Sequence, residues 1–291
     1  SLITFLLAVF FLIHRGLHLS VEFTGGTLIE VNYAQAADLE KIRQGLVKAG
    51  NTDVSVQNYG SSQDVMIRLP LKEEQNSAKI GESVMAALDA EAPGAKLSRV
   101  EFVGPAVGAE LAQSGLMAIV VSMLCILAYV GFRFEWRMAT GAVLSLGHDV
   151  LLTLGVFSLF QFEFDLTVLA AVLTVVGYSL NDTIVVFDRV RENARRIRNE
   201  TMRNIIDVSM TETLSRTLIT SGTTLVTVIA LYWKGGPMIH GFSTALLIGI
   251  GFGTYSSIYV ASAWAMYMKM NREDLMPKVV EKEGIEERYE P

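Results

Sequence analysis

The sequence predicts a polytopic α-helical membrane protein with six transmembrane helices, the first one truncated, and a small α+β domain between the first and second helices. Its 291 residues are 51% hydrophobic and only 19% charged, which is too apolar for a soluble domain of this length. Long apolar runs with short connections dominate the second half of the chain. A stretch of mixed strand and helix patterns near the N-terminal end predicts the α+β domain.

Charge and cysteine content exclude several classes of function. The net charge is −6 and the pI is near 5.3, so no broad basic surface is available to neutralise the phosphates of a nucleic acid. Cys125 is the only cysteine, which excludes an internal disulfide. With one cysteine and 4 histidines, the composition predicts no metal site.

The chain opens with an apolar run, residues 2–13, that is shorter than the roughly 20 residues needed to cross a bilayer. No basic segment precedes it, as one would in a secretory signal peptide. We therefore expect residues 1–18 to be the end of a first transmembrane helix whose earlier part is missing from the sequence.

Residues 19–112 are predicted to form the α+β domain. Patterns typical of strands and helices follow one another in the order strand, helix, strand, strand, helix, strand, which is that of a ferredoxin-like βαββαβ unit. The predicted segments are 19–33, 36–50, 53–58, 64–70, 73–92 and 95–103. Gly25, Gly26 and Thr27 are not followed by the lysine and helix of a phosphate loop, which favours a bulge or bend in the first strand.

The chain is predicted to return to the membrane after this domain. Gly104, Pro105 and Gly108 mark the return, where they predict a helix start or a hinge. Five spans are predicted within residues 113–268, and residues 269–291 are predicted to be a cytoplasmic tail. The predicted spans are 114–132, 138–160, 166–187, 213–233 and 242–268.

Basic residues predict the orientation of the spans, because lysine and arginine accumulate in cytoplasmic loops. Arg133 and Arg137 follow the second span, and six arginines lie between residues 189 and 203, after the fourth span. The connection 161–165 has no basic residue, and the connection 234–240 has only Lys234. We expect both termini to be cytoplasmic and the α+β domain to be periplasmic.

Asp182 is an ionisable carboxylate inside the fourth predicted span. It lies six residues before Asp188, which begins the basic connection, and therefore about 9 Å of helix inside that boundary. A charge at that depth costs about 2.5 to 3.5 kcal/mol on insertion scales. A carboxylate that takes up and releases a proton at such a depth has the property that a proton carrier needs. Arg216 lies at a similar depth in the antiparallel fifth span and is the predicted partner. The alternative is a static ion pair that fixes helix register.

Further polar residues accompany this pair. The helical period places Thr213, Arg216, Thr220, Thr223 and Thr227 on one face of the fifth span. In the third span, His148 and Asp149 form a second ionisable pair near the middle of the membrane. We predict these supports of a proton relay: Ser179, Thr220, Thr223, His148 and Asp149. The alternatives are threonines that bond to a neighbouring helix or their own backbone, and a His148 and Asp149 pair that only packs and hydrogen-bonds.

Small residues recur at steps of four in the sixth predicted span, at Gly249, Gly253, Ser257 and Ala261. Such a seam allows close helix approach. It predicts either an interface with another chain or tight packing within this one.

Five motifs lie along nearly the whole chain: VEFTGGT (21–27), VEFVGPAVGAEL (100–111), FRFEWR (132–137), GYSLNDTIVVFDRVREN (177–193) and SRTLITSGTT (215–224). Together they resemble the SecD/SecF family of the bacterial Sec protein-export system, in the form of its smaller, proteobacterial member. The chain departs from the family at one point. Where the family usually reads G-x-D-F-x-G-G-T, this chain has Ser20 and Glu22, so that the carboxylate is kept on a longer side chain.

The resemblance implies a transport subunit of the resistance-nodulation-division superfamily that uses the proton-motive force, with protons as coupling ion and no bound cofactor. Its task would be the late translocation of polypeptides across the inner membrane. By this resemblance Asp182 and Arg216 match the aspartate and arginine that serve proton movement in the family. It implies these partners: SecD, the SecYEG channel, YajC, YidC and the unfolded exported polypeptide.

A mechanism can be stated as a hypothesis: protonation of Asp182 weakens its pairing with Arg216 and moves spans four and five, and the hinge at Gly104, Pro105 and Gly108 transmits the shift to the α+β domain. Two other functions stay open. One is half of a proton-coupled small-molecule exporter, whose other half would come from another chain such as SecD. The other is a passive scaffold of the export channel. No nucleophile, base and oxyanion donors assemble into an enzyme site.

Overall fold

The computed structural model describes residues 1–51, 54–59, 61–70, 77–91, 93–197 and 200–275. The predicted tail from residue 276 onward and Arg198 of the basic connection lie outside the described residues. Within them, a bundle of long helices carries the α+β domain at one end. We call this end of the bundle the domain end and the opposite one the far end.

The elements follow one another in this order: α1 (Leu2–Arg15), β1 (His18–Leu19), α2 (Val21–Thr24), β2 (Gly26–Asn32), α3 (Leu39–Lys48), β3 (Ser55–Tyr59), β4 (Ser61–Pro70), α4 (Ser77–Glu91), β5 (Lys96–Val103), α5 (Pro105–Arg133), α6 (Trp136–Phe160), β6 (Glu163–Phe164), α7 (Leu166–Arg196), α8 (Met202–Lys234), α9 (Pro237–Tyr267) and a 3-10 turn (Arg272–Leu275). Among the described residues, 5 helices, α5 to α9, are long and apolar enough to cross a membrane. The shorter helix α1 has 14 residues and is also apolar.

Helices α5 to α9 confirm that the five predicted spans are helical, but the helices are longer than predicted. Helices α7 and α8 continue past the apolar segment at the far end, where polar pairs join them. The Asn193 amide donates to Glu212 Oε2 at 2.9 Å, and Arg196 Nη2 lies 3.4 Å from Glu212 Oε1. These contacts give charged side chains a partner beyond the apolar segment, and α7 and α8 stay helical there.

Helix α9 packs against α6, α7 and α8. Its small-residue seam faces the interior of the chain. A Cβ on Gly249 would lie 2.7 Å from Val175 Cγ1, and one on Gly253 would lie 3.3 Å from Ser179 Cβ. Close packing within the chain is therefore the alternative that the structure favours for this seam.

The α+β domain has the predicted order of strands and helices. Its four strands form an antiparallel sheet in the order β3-β4-β2-β5. Alternation along β2 buries Ile29 and Val31 against Ile42 of α3 and Leu88 of α4, all at 0% exposure. The other face of the sheet turns towards the domain end of the bundle, where it lines a cavity of about 710 Å³.

One predicted element is wrong. Residues 19–33 do not form a single strand, because β1 ends at Leu19 and the one-turn helix α2 separates it from β2. The Ser20 hydroxyl caps α2 by accepting from the Glu22 N–H at 3.4 Å, and Gly25 and Gly26 follow with φ of 79° and 157°. Side-chain-bearing residues rarely adopt such φ values, so the two glycines end the helix and turn the chain into β2. We call residues 20–26 the hook.

Candidate functional site

Asp182 lies in the middle of α7, facing α8 and α9. Its side chain is 5% exposed. The Ser221 hydroxyl of α8 donates to its Oδ2 at 3.4 Å, and the Thr254 hydroxyl of α9 lies 2.8 Å from Ser221 Oγ. Asp182 therefore ends a chain of hydroxyl groups that crosses three helices.

Arg216 does not contact Asp182 in this structure. Arg216 is exposed, and no carboxylate among the described residues lies within 4.0 Å of its guanidinium. Arg216 precedes Ser221 by five residues, which turns it about 140° around α8 from the hydroxyl that reaches Asp182. The predicted pairing rested on the similar depth of the two residues in the membrane. In the structure, however, Arg216 lies on a face of α8 that does not turn towards Asp182.

The residues predicted to share one polar face of α8 do not all have the same exposure. Thr213 is buried, whereas Arg216, Thr220, Thr223 and Thr227 are exposed on the outside of the chain. The Thr220 hydroxyl lies 3.0 Å from the Arg216 carbonyl oxygen, and the Thr223 hydroxyl lies 3.0 Å from that of Ile219. For Thr220 and Thr223, the structure therefore favours the alternative in which the hydroxyl bonds to the backbone of its own helix.

Asp149 of α6 is a buried carboxylate with three side-chain partners on its own and neighbouring helices. It is 1% exposed, and its Oδ2 accepts from the Ser179 hydroxyl of α7 at 2.7 Å and from the Ser256 hydroxyl of α9 at 2.6 Å. His148 Nδ1 lies 3.1 Å from Asp149 Oδ1. The His148 ring stacks on Phe5 of α1 with centroids 5.8 Å apart. Asp149 and His148 thereby connect four helices.

The predicted hinge residues lie at the start of α5. Gly104 is the N-cap, Pro105 is the first helical residue and Gly108 lies within the helix. Gly108 is buried, and a Cβ there would lie 2.8 Å from both the Phe23 carbonyl oxygen and the Gly25 nitrogen of the hook. Gly108 thus serves close packing, and bending at Gly104 and Pro105 stays a prediction.

Three hydroxyl residues of these clusters are absent from the sequence-based prediction, namely Ser221, Thr254 and Ser256. Ser221 lies on the buried face of α8 together with Thr217, one turn earlier. Ser256 follows Gly253 of the seam by one turn. For Thr254 and Ser256, the signal in the sequence is their place beside the small-residue seam of α9.

Residues 83–271 match the model of a family described as protein export membrane protein SecD/SecF, C-terminal, and residues 10–37 match the SecD/SecF GG motif. The protein translocase subunit SecF of Vibrio alginolyticus is 56% identical over 280 residues, which cover 96% of this chain and 89% of the relative. The corresponding subunit of Escherichia coli O157:H7 is 50% identical over 275 residues, which cover 94% of this chain and 85% of the relative.

A solved structure is also similar. The crystal structure of SecDF, a translocon-associated membrane protein from Thermus thermophilus, matches with a TM-score of 0.79 and 36% sequence identity over 92% of this chain. This chain spans 37% of that SecDF chain, a little over one third of its length.

Proposed function

The chain belongs to the SecD/SecF family of protein-export membrane proteins, and from this membership we propose that it uses the proton-motive force to promote polypeptide translocation. It is a SecF-type subunit of the Sec translocation machinery in the bacterial inner membrane, a transport protein rather than an enzyme, and SecD is its partner. Proton coupling, action late in translocation, and contacts with SecYEG, YajC, YidC or the exported polypeptide belong to the proposal.

The observation that carries proton coupling is the environment of Asp182. It is buried within a membrane-spanning helix, and among the described residues no cationic side chain lies within 4.0 Å of it. An ionised carboxylate in such a place is costly, so proton uptake and release there change the free energy of the bundle. Ser221 and Thr254 carry hydroxyl groups, which both donate and accept hydrogen bonds and therefore suit a proton path.

Arg216 has a different role in this proposal from the one that the sequence suggested. An arginine and three threonines exposed to lipid would be expensive, at about 2.5 to 3.5 kcal/mol for the arginine alone on insertion scales. We therefore place the face formed by Arg216, Thr220, Thr223 and Thr227 against SecD. There the guanidinium acts across the interface on proton movement, with Thr220 and Thr223 beside it as polar support.

Asp149, Ser179 and His148 support the relay as a fixed anchor. Because the carboxylate of Asp149 is held by two hydroxyl groups and a histidine, it joins α6, α7 and α9 while Asp182 exchanges protons. Ser179 lies three residues before Asp182 on α7 and so fixes the position of the helix that carries it.

The available energy is sufficient for a domain movement. One proton that crosses a potential of 100 mV yields about 2.3 kcal/mol from the electrical part alone. That energy biases a two-state equilibrium roughly fiftyfold, because about 1.4 kcal/mol corresponds to a factor of ten. In the proposed orientation the domain end is periplasmic, and the arginine-rich connections and both termini are cytoplasmic.

Asp182→Asn tests the proposal, because asparagine keeps the shape of the side chain and removes its titration. In cells that contain SecD, we expect loss of the export that depends on the proton-motive force, with a normal membrane level of the protein. Asp207→Asn, at an exposed position of α8, is the matched control and is expected to export normally. Full export by Asp182→Asn would contradict proton coupling and leave the passive scaffold as the function.

A further inference from the structure

The hook attaches the α+β domain directly to the helix that carries Asp182. Glu22 of the hook is half-buried, and its Oε2 accepts a hydrogen bond from the Leu166 backbone N–H at 2.8 Å. Leu166 is the first residue of α7, where backbone N–H groups have no partner within the helix and the helix dipole is positive. A carboxylate is therefore the favoured partner, and this one comes from a segment 144 residues away in the sequence.

The segment just before α7 also contacts residues 18–20 through the backbone and β4 of the sheet through Arg68. The Ser20 N–H donates to the Phe164 carbonyl oxygen at 3.0 Å, and β1 pairs in parallel with β6. Arg68 of β4 forms an ion pair with Glu163, with 2.6 Å between Nη1 and Oε2 and side chains 9% and 22% exposed. Such a pair costs more to break than an exposed one, because it leaves the largely buried guanidinium of Arg68 without its counter-charge.

Helix α5 contacts the hook as well. At Gly108 the backbones of α5 and the hook approach so closely that no side chain fits between them. The Phe23 ring of the hook packs against Phe164 with centroids 5.8 Å apart. The hook therefore contacts α5 and the start of α7 at the same time, and the sheet is tied to both.

We propose that Glu22 is a positioning residue that, together with the Arg68–Glu163 pair, fixes the start of α7 to the α+β domain. The domain and the helix that carries Asp182 then move as one rigid body. The attachment itself stands on the contacts of the hook, whereas its use in export rests on the proposed function above. The carboxylate of Glu22 is the group that reaches the start of α7.

Distance measurement by pulsed electron paramagnetic resonance tests the attachment without reference to export. Spin labels go on Glu82→Cys of α4 and Thr174→Cys of α7, both exposed, after Cys125→Ser removes the native thiol. The full chain is measured with SecD in lipid vesicles. With Glu22 in place we expect one narrow distance distribution. Glu22→Ala is expected to broaden it, because the Leu166 N–H at the start of α7 loses its partner.

Two variants separate attachment from general damage. Glu22→Gln keeps an oxygen acceptor and is expected to keep the narrow distribution. Glu101→Ala removes a carboxylate from the same side of the sheet, where it pairs with Arg99 rather than with α7, and is also expected to leave the distribution unchanged. A distribution that stays narrow in Glu22→Ala, or that broadens equally in Glu101→Ala, would overturn the proposal.

The buried ion pair offers a second route if Glu22→Ala fails to accumulate. Glu163→Gln leaves Arg68 without its anionic partner and is expected to broaden the same distance. If the distance distribution stays unchanged both in Glu163→Gln and in the double variant Glu22→Gln with Glu163→Gln, the proposed attachment is also overturned.

Export measurements then separate the two proposals. If the attachment serves export, Glu22→Ala loses export that Glu22→Gln retains. If Asp182→Asn exports normally while Glu22→Ala still broadens the distance, proton coupling fails and the attachment holds. If Asp182→Asn loses export and Glu22→Ala leaves the distance narrow, the attachment fails and proton coupling holds.

Discussion

Ser221 of α8 donates a hydrogen bond to Asp182 of α7 at 3.4 Å, from a helix face that Arg216 does not share. The buried face of α8 carries Thr213, Thr217 and Ser221, while Arg216 lies on the exposed face. Asp182, the predicted proton site, therefore has a hydroxyl neighbour inside the chain. Its expected cationic partner points to the surface that we assign to SecD.

Ser221→Ala is expected to reduce proton-dependent export with little change in membrane level, because Asp182 loses its hydroxyl donor. Leaving a buried polar group without its partner costs about 1 to 3 kcal/mol. The measurement is export in cells with and without a collapsed proton-motive force. Thr217→Val is the matched control, since Thr217 lies on the same buried face and its hydroxyl has no partner among the described residues. Equal export by the two variants would remove Ser221 from the relay.

Ser256→Ala is expected to lower the stability of the bundle by about 1 to 3 kcal/mol, because Asp149 loses one of its two hydroxyl donors. Thermal unfolding of the purified chain with SecD in lipid measures the loss. Ser243→Ala on the same helix removes a buried hydroxyl that has no partner among the described residues, and it is expected to be nearly neutral. If both variants unfold at the same temperature, Asp149 does not anchor the three helices.

A photo-crosslinking amino acid in place of Thr220 is expected to form adducts with SecD in intact membranes. In place of Leu218, which is 54% exposed and about 160° away around α8, it is expected to react mainly with lipid. Mass spectrometry of the adducts distinguishes the two. Strong SecD adducts from Leu218 and none from Thr220 would place the polar face of α8 away from the partner.

Acid is expected to weaken the α+β domain through Asp38. Its Oδ1 accepts from the Glu40 and Lys41 N–H groups at 3.2 Å each, and the backbone bond from Lys41 is the main cause that lowers the pKa of Asp38. A pKa lower in the folded than in the unfolded state means that the unfolded chain takes up the proton first. The contribution of Asp38 is therefore present above about pH 4 and is lost as pH falls through the folded pKa.

Asp38→Asn provides the comparison for this pH dependence, because asparagine is an equally good N-cap and does not titrate. We expect the thermal stability of the variant to fall less steeply than that of the parent chain as the pH is lowered below about 4. Parallel curves for the two proteins would show that Asp38 has the same pKa in the folded and unfolded states.

Local patterns were sufficient for much of the fold. Apolar runs predicted five helices, and alternation in residues such as Ile29 and Val31 predicted the strands of the α+β domain. The hook was missed because a one-turn helix is too short to show a period. Its course depends on the positive φ of Gly25 and Gly26 and on a cap by Ser20, which a strand pattern through the same residues hides.

The sequence by itself determined that a carboxylate lies deep in a membrane-spanning helix, because composition and span length are local properties. The helical period also placed Arg216, Thr220, Thr223 and Thr227 together on one face of α8, and these four are exposed, although Thr213 of the same predicted face is buried. Only the tertiary structure decided which face turns towards Asp182, and that Glu22 meets Leu166 from 144 residues away. The rotation of a helix about its axis is decided by the packing of all its neighbours at once, and no single stretch of sequence contains that information.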